Sequence, residues 1–406
     1  MEVIYGQHQV HSAVLQDDFR MMLTKDGDLF MNTPVEKLSP NHDFFKVDCF
    51  NNVPIVKFYT NGRTHAAITE EGKLYLWGVN RFGQCGIPAS DEVQVATLCQ
   101  SGALSDKDVF VVSVACGAGH TVVLTREGGV IVLGSNNYGQ IGMGNEQPRE
   151  MEIAAWLPSL GVRIVGCEVG STYTVLVSED GRVFVTGSNF CGHLGLGHTN
   201  EVNTVQEIEA KHFGYAPVAA VKCGQFHTLA LTREGKVFSW GMSHYGAAGP
   251  DTENEITTPQ LMTGPLANER VVRIGAGRWH SLALTDKGQV FGLGKGTIVP
   301  AGGEQGVPQL LHGELSERTV CKLNNCYWRD TPVFIIGKPP VEPGFDKNPK
   351  LIWHHRRMLL MCLLAVSKKE RIEGEPRAAH GPAENNFGQR MSELPDVLWK
   401  RIIKFL

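Results

Sequence analysis

Apolar and polar positions along this chain alternate in short runs rather than in long helical stripes. His227-Thr-Leu-Ala-Leu-Thr232 is followed by the polar turn Arg233-Glu-Gly235, and then by Lys236-Val-Phe-Ser-Trp240, which stops at Gly241. Runs of this length, rich in β-branched and aromatic residues and bounded by turn formers, predict strands. The glycine between them supplies a residue free to take positive φ, so the second run returns antiparallel on the first. Upstream runs such as Val111-Val-Ser-Val-Ala-Cys116 and Val271-Val-Arg-Ile-Gly275 predict a further strand.

The same pattern returns along the chain. Gly62-Arg-Thr-His65 leads into Glu70-Glu-Gly72 and Trp77-Gly78, and Gly277-Arg-Trp-His280 leads into Asp286-Lys-Gly288. With the histidine as ruler, the slot holds His65, His120, Tyr173, His227 and His280, at steps of 55, 53, 54 and 53 residues. A fixed long period of this kind is the mark of a repeat architecture. Weaker copies stand at Arg20 to Phe30 and at Val333-Phe-Ile-Ile-Gly337, which suggests seven units. Four short strands per unit, repeated radially, predict an all-β propeller, an arrangement that protects the sheet edges.

Each unit ends on Gly-x-Asn/Ser-x-x-Gly, as in Gly78 to Gly83, Gly134 to Gly139 and Gly187 to Gly192. Gly139-Gln-Ile-Gly142-Met-Gly144 and Gly192-His-Leu-Gly195-Leu-Gly197 complete the phrase. These residues resemble the repeat of the regulator of chromosome condensation (RCC1-like) family, whose founding member is the exchange factor for the small GTPase Ran. The resemblance runs from Met1 to Lys338, most strongly from Val56 to Gly294. It implies a seven-bladed RCC1-like β-propeller, but fold alone does not carry nucleotide exchange. The exchange factor uses a β-hairpin wedge, and no insertion interrupts the regular spacing. Chromatin-binding relatives add a basic N-terminal tail, whereas this chain begins Met-Glu-Val-Ile-Tyr-Gly. Plant ultraviolet receptors carry tryptophan in several of the slot loops, and here only Trp279 does so.

Composition narrows the function classes. The chain has 406 residues, 42% of them hydrophobic, with 46 glycines, which suits a turn-rich globular protein. A net charge of −4 and a pI near 6.4 give no global attraction to nucleic acid or anionic lipid. No N-terminal signal sequence is visible and no apolar run reaches the ~20 residues of a membrane span. The expectation is a soluble intracellular protein, cytoplasmic, with nuclear or ciliary placement as variants. The ten cysteines include no C-x-x-C pair. Cys116, Cys167 and Cys223 are read as equivalent strand positions before the glycine–histidine loop, small buried hydrophobes rather than metal ligands or redox groups.

The repeated histidines invite a catalytic reading, but catalytic groups converge on one reacting atom, whereas radial repeats spread equivalent residues around a ring. Tyr173 in the same slot points the same way: the slot is structural, bonding a neighbouring turn or blade. Gly292-Leu-Gly294-Lys-Gly296-Thr297 lacks the Gly-Lys-Ser/Thr order and the following helix of a phosphate loop. No catalytic residue, cofactor or metal is predicted. The two residues before the slot vary, as Arg63-Thr64, Ala118-Gly119, Ser171-Thr172, Gln225-Phe226 and Arg278-Trp279. Arg, Trp and Phe are common binding hot spots, so Arg63, Phe226, Arg278 and Trp279 are candidates for a partner-binding face.

Residues 1–338 are assigned to the propeller. A Pro-rich linker follows over 339–349, and then a short α-helical C-terminal tail over 350–406 with a flexible middle from Ile372 to Gln389. In Leu394 to Leu406, Leu398, Ile402, Phe405 and Leu406 form one apolar helix stripe behind Pro395. This segment resembles the opening helix of an F-box, which docks on the Skp adaptor of cullin ubiquitin ligases. The sequence therefore predicts a non-enzymatic protein-interaction scaffold that meets a protein partner or a large assembly. A small-GTPase exchange factor and a ligase substrate receptor bound to a Skp-type adaptor are the two rivals.

Overall fold

The computed structural model describes residues 53–243, apart from 62 and 145–148, and then 246–249, 255–294 and 306–311; outside that span it describes 3–5, 8–15, 20–32, 45–47, 50, 320–324 and 333–336. Lys46–Pro339 forms one compact unit, and the described strands up to Phe45 belong to another. The linker at 339–349 and the helical tail with Leu398, Ile402 and Phe405 lie outside the described residues.

Among the described residues seven antiparallel sheets follow one another along the chain, each a simple meander, and those of Lys46–Pro339 form successive blades of one compact all-β unit, as the repeat predicts. Blade 1 holds Val3–Tyr5, His8–Leu15, Arg20–Thr24, Leu29–Asn32 and Phe45–Lys46. Blade 2 is Ile55–Thr60, Thr64–Thr69, Leu74–Asn80 and Ser90–Leu98; blade 3 is Val111–Cys116, His120–Thr125, Val130–Ser135 and Glu150–Trp156. Blade 4 is Ile164–Val169, Tyr173–Ser178, Val183–Gly187 and Val202–Glu207; blade 5 is Val218–Cys223, His227–Thr232, Val237–Gly241 and Ile256–Leu261. Blade 6 is Val271–Ala276, His280–Thr285, Val290–Gly294 and Gln309–Leu310, and blade 7 is represented by Val320–Asn324 and Val333–Ile336.

The second strands of blades 2 to 6 are buried along their whole length. Successive side chains of a strand face opposite ways, and here both faces meet a neighbour. In blade 4, Tyr173, Val175 and Val177 join Val218, Val221 and Trp240 of the next sheet, while Leu176 and Phe184 join Val122 and Val132 of the preceding one. That is why these strands read as continuous apolar runs. Burying each Val or Leu stabilises the fold by about 1.5–3 kcal/mol. The first strands lie side by side and exchange polar bonds: Lys57 Nζ donates to the Val112 carbonyl at 2.9 Å, Tyr59 and Ser113 hydroxyls meet at 3.2 Å, and Lys222 pairs with Glu168.

The hairpin turn between second and third strands is also an inter-blade joint. Gly235 has φ +86, and a Cβ there would lie 2.7 Å from Cγ of Arg270, which precedes the next first strand. The Val271 amide donates to the Gly235 carbonyl at 3.0 Å. Phe110, Arg163 and Pro217 take the place of Arg270 over Gly72, Gly128 and Gly181. The glycine thus serves the turn and the neighbour together.

The His-Thr dipeptide clamps in both directions. His120 Nε2 lies 3.2 Å from Thr174 Oγ1 of the next blade, and that hydroxyl donates back to the Gln140 carbonyl at 2.7 Å. His227 Nε2 lies 2.9 Å from Ser281 Oγ, which donates to the Ala247 carbonyl at 2.7 Å. A hydroxyl already donating elsewhere must accept here, so both rings carry the proton on Nε2. Tyr173 reaches across in the same manner, its hydroxyl donating to the His227 carbonyl at 2.7 Å.

Two expectations change. The strand register places Thr64, not His65, in the slot of blade 2: Thr64 pairs with Gly78 as His120 pairs with Gly134 and His227 with Gly241. His65 takes the threonine position that follows, with its Nδ1 2.7 Å from Thr60 Oγ1. Asn61 makes the bridge instead, its Nδ2 donating to the Gly117 carbonyl of blade 3 at 2.6 Å. The cysteines are not all equivalent either. Cys116 pairs with Thr121 and Cys223 with Thr228, whereas Cys167 sits two residues earlier in its strand, opposite Leu176.

Candidate functional site

Between first and second strands blades 3 to 6 make a three-residue loop, Gly117-Ala-Gly119, Gly170-Ser-Thr172, Gly224-Gln-Phe226 and Gly277-Arg-Trp279, and in blade 2 Asn61 and Arg63 stand at the corresponding places. The loop is pinned from beneath. Gly224 donates its amide to the His227 carbonyl at 2.8 Å, and a Cβ on Gly224 would fall 2.1 Å from the His227 ring. On blades 5 and 6 the slot ring is folded under the glycine and both residues in between become the outward ones. Gln225, Phe226, Arg278 and Trp279 are accordingly half-buried, while His227 and His280 are buried.

On blades 4 to 6 these side chains meet. The Phe226 ring lies 6.1 Å from the Trp279 ring, centroid to centroid. On its other side it meets Phe190 edge-on at 4.9 Å. The Arg278 guanidinium sits 5.3 Å from the Trp279 ring, and its Nε donates to Gln225 Oε1 at 2.9 Å. One track of aromatic surface therefore runs from Phe190 through Phe226 to Trp279 and ends on a cation. Offset and edge-on aromatic pairs and a cation over a tryptophan each add about 0.5–1.5 kcal/mol beyond burial.

Of the candidates read from the sequence, Phe226, Arg278 and Trp279 come together. Arg63 is exposed on blade 2 and stands outside this group. With Thr64 in the slot, the residues aligned with Phe226 and Trp279 are Arg63, Gly119 and Thr172. Phe190 was missed, although it is 55% exposed. It follows Asn189 in the Gly-x-Asn-x-x-Gly turn, whose Asn189 Oδ1 accepts the Leu194 amide at 2.9 Å and so shapes the loop beneath it. An aromatic residue one step past that asparagine was the available signal.

His193 lies under the track, fully buried, its ring 4.6 Å from Tyr173 and 6.1 Å from Phe226. Burial pushes its pKa down to about 3, and does the same to His227 (about 3) and His120 (about 4). These rings stay neutral at pH 7. Burial likewise pushes the thiols of Cys116 and Cys167 up to about 12, so neither offers a thiolate. Among the described residues no three His, Cys, Asp or Glu side chains converge as a metal site would require, and no helix is long and apolar enough to cross a membrane.

The curated relatives include the human E3 ubiquitin-protein ligase HERC2, 30% identical over 245 residues, which are 59% of this chain and 5% of that protein. The ultraviolet-B receptor UVR8 of Arabidopsis thaliana is 29% identical over 261 residues, 62% of this chain and 57% of the receptor. The chain therefore spans a small part of the ligase and little more than half of the receptor. Among solved structures, human WBSCR16 superposes with a TM-score of 0.60 at 22% identity, covering 69% of this chain and 73% of that one. Prp20p from Saccharomyces cerevisiae superposes with a TM-score of 0.64 at 15% identity, covering 78% of this chain and 80% of Prp20p. Identities this low speak for the propeller fold alone. The family description RCC1-like domain matches residues 6–323, and on that match, which covers most of the repeat array, the chain belongs to the RCC1-like domain family.

Proposed function

We propose that this protein is a non-catalytic interaction scaffold that binds a protein partner on the loop rim of blades 4 to 6. The observation that carries this reading is the continuous, half-exposed track of Phe190, Phe226, Trp279 and Arg278, the last three set on loops pinned by buried glycine–slot contacts and Phe190 on the turn shaped by Asn189. Aromatic and arginine side chains on a pre-organised frame bind at low entropic cost, which is the usual composition of an interface hot spot. The slot residues support a non-enzymatic role, because burial keeps them neutral and their hydrogen bonds run from blade to blade. Prp20p has been studied for its binding to Gsp1p and histones, which accords with a protein-binding use of the fold. For this chain the small GTPase, the Skp-type adaptor and the large assembly are candidate partner classes, and Leu398, Ile402 and Phe405 are a second docking element read from sequence.

The test is affinity capture with the tagged full chain against the Arg278→Ala/Trp279→Ala double variant, each with and without excess free guanine nucleotide. The rim reading expects partners lost from the variant at unchanged melting temperature. Capture that survives the double substitution would overturn it. Partners released only by free nucleotide would favour an exchange factor instead.

A further inference from the structure

At the end of the track the Arg278 guanidinium has no counter-charge among the described residues. Its Nε donates to Gln225 Oε1, and its Cζ lies over the Trp279 ring at 5.3 Å from the centroid. Those contacts orient the guanidinium fork, and no carboxylate among the described residues approaches its two Nη groups. A half-buried guanidinium elsewhere in the chain is handled differently: Arg182 meets both Asp180 and Glu207, at 3.0 and 3.3 Å. The wider rim repeats the imbalance. Across the five slot loops the only charged residues are Arg63 and Arg278, both cationic, with no Asp or Glu among them.

We infer that the Arg278–Trp279 corner receives the carboxylate of an Asp or Glu in an extended partner segment, with an adjacent apolar side chain lying on Phe226 and Phe190. This rests on the rim reading above and names its chemistry. The guanidinium presents two parallel N–H donors that match a carboxylate bidentately, a geometry that lysine does not reproduce. Trp279 and Gln225 hold the fork before the partner arrives, so little side-chain entropy is lost on binding. The apolar neighbour is required because Phe190 and Phe226 leave aromatic surface open beside the cation. Phosphate offers comparable oxygens but a larger charge. The single guanidinium at this corner, which no carboxylate among the described residues meets, balances a carboxylate.

The inference can be tested with the full-length chain on an array of nine-residue peptides. The central residue is Glu, Asp, Gln, Asn or phosphoserine, and its neighbour is Leu or Gly. The expected result is binding of the Glu and Asp peptides with Leu beside them, and about tenfold weaker binding of the Gln and Asn peptides. Arg278→Lys, which keeps the charge but not the fork, should lose about tenfold on the acidic peptides, with its melting temperature confirming that it is folded. Amide peptides bound as tightly as acidic ones would overturn the inference. So would wild-type affinity in Arg278→Lys, or a preference for phosphoserine. If the double variant of the preceding section loses its partners while the array shows no acid preference, the rim reading stands and this inference falls. If that variant keeps every partner, both fall together.

Discussion

Phe226 and His227 are neighbours in the chain and have opposite roles. His227 is buried, its ring 2.9 Å from a serine hydroxyl one blade away. Phe226 is half-exposed and touches the aromatic rings of Phe190 and Trp279. The same contrast holds between His280 and Trp279 and between Tyr173 and Thr172. In blades 3 to 5 the slot side chain bonds the next blade, so its role recurs; in blades 4 to 6 the adjacent position is half-exposed and free to vary. A repeat protein thus places its chemically familiar letters, glycine and histidine, in the joints, and its individuality one residue earlier.

Substitutions can probe both sides of this contrast. The largest effect is expected at the glycine under the slot. Gly224→Ala drives a methyl group to 2.1 Å from the His227 ring and 2.8 Å from the Gly277 carbonyl, so the ring must leave Ser281. Chemical denaturation should show a loss of about 3 kcal/mol, from overpacking and the broken clamp together. Next is the pH dependence of the slot. Unfolded histidine protonates near 6.5 and folded His227 only near about 3. Between those values the unfolded chain binds the extra proton, so stability present at pH 7 falls as pH drops below 6.5 and the loss ends near 3. Each such histidine contributes about 1.4 kcal/mol per pH unit in that window. Wild type should therefore lose about 2 kcal/mol more than His227→Gln between pH 7 and pH 5, measured by denaturant titration at both values.

Tyr173→Phe should cost less, about 1 kcal/mol, because it deletes a hydroxyl that donates to the His227 carbonyl while that carbonyl keeps the Gly224 amide. At the variable pair the stability effect should almost vanish. Arg278→Ala/Trp279→Ala is expected to move the melting temperature by about 2 °C or less, since half-exposed rim residues carry little of the blade-to-blade bonding. A melting shift as large as that of Gly224→Ala would erase the contrast between joint and rim.

Most of the architecture was legible because the strand and turn signals repeat, and each copy corroborates the others. The errors came where identity and register disagree. In blades 3 to 6 the slot stands eight residues before the hairpin glycine, as His120 does before Gly128 and His227 before Gly235. In blade 2, eight residues before Gly72 is Thr64, and His65 is one too close. The histidine matched by chemistry; the strand paired by distance from its turn, because a one-residue slip would turn every side chain to the opposite face. Cys167 misled in the same way, since it is a cysteine near the loop but two residues off the position of Cys116 and Cys223. The aromatic track was half legible. Phe226, Trp279 and Arg278 are visible as hot-spot types in equivalent loops, but Phe190 belongs to a different turn of a different blade.

By itself the sequence determined the number and order of the sheets and which residues recur as joints, because hydrophobic period and turn chemistry act locally and are repeated. Tertiary structure decided which outward residues touch. Phe190 and Phe226 are 4.9 Å apart across two blades, and Arg278 is oriented by Gln225 from the blade before it. Such contacts depend on how one sheet lies against the next, a relation that no single repeat encodes.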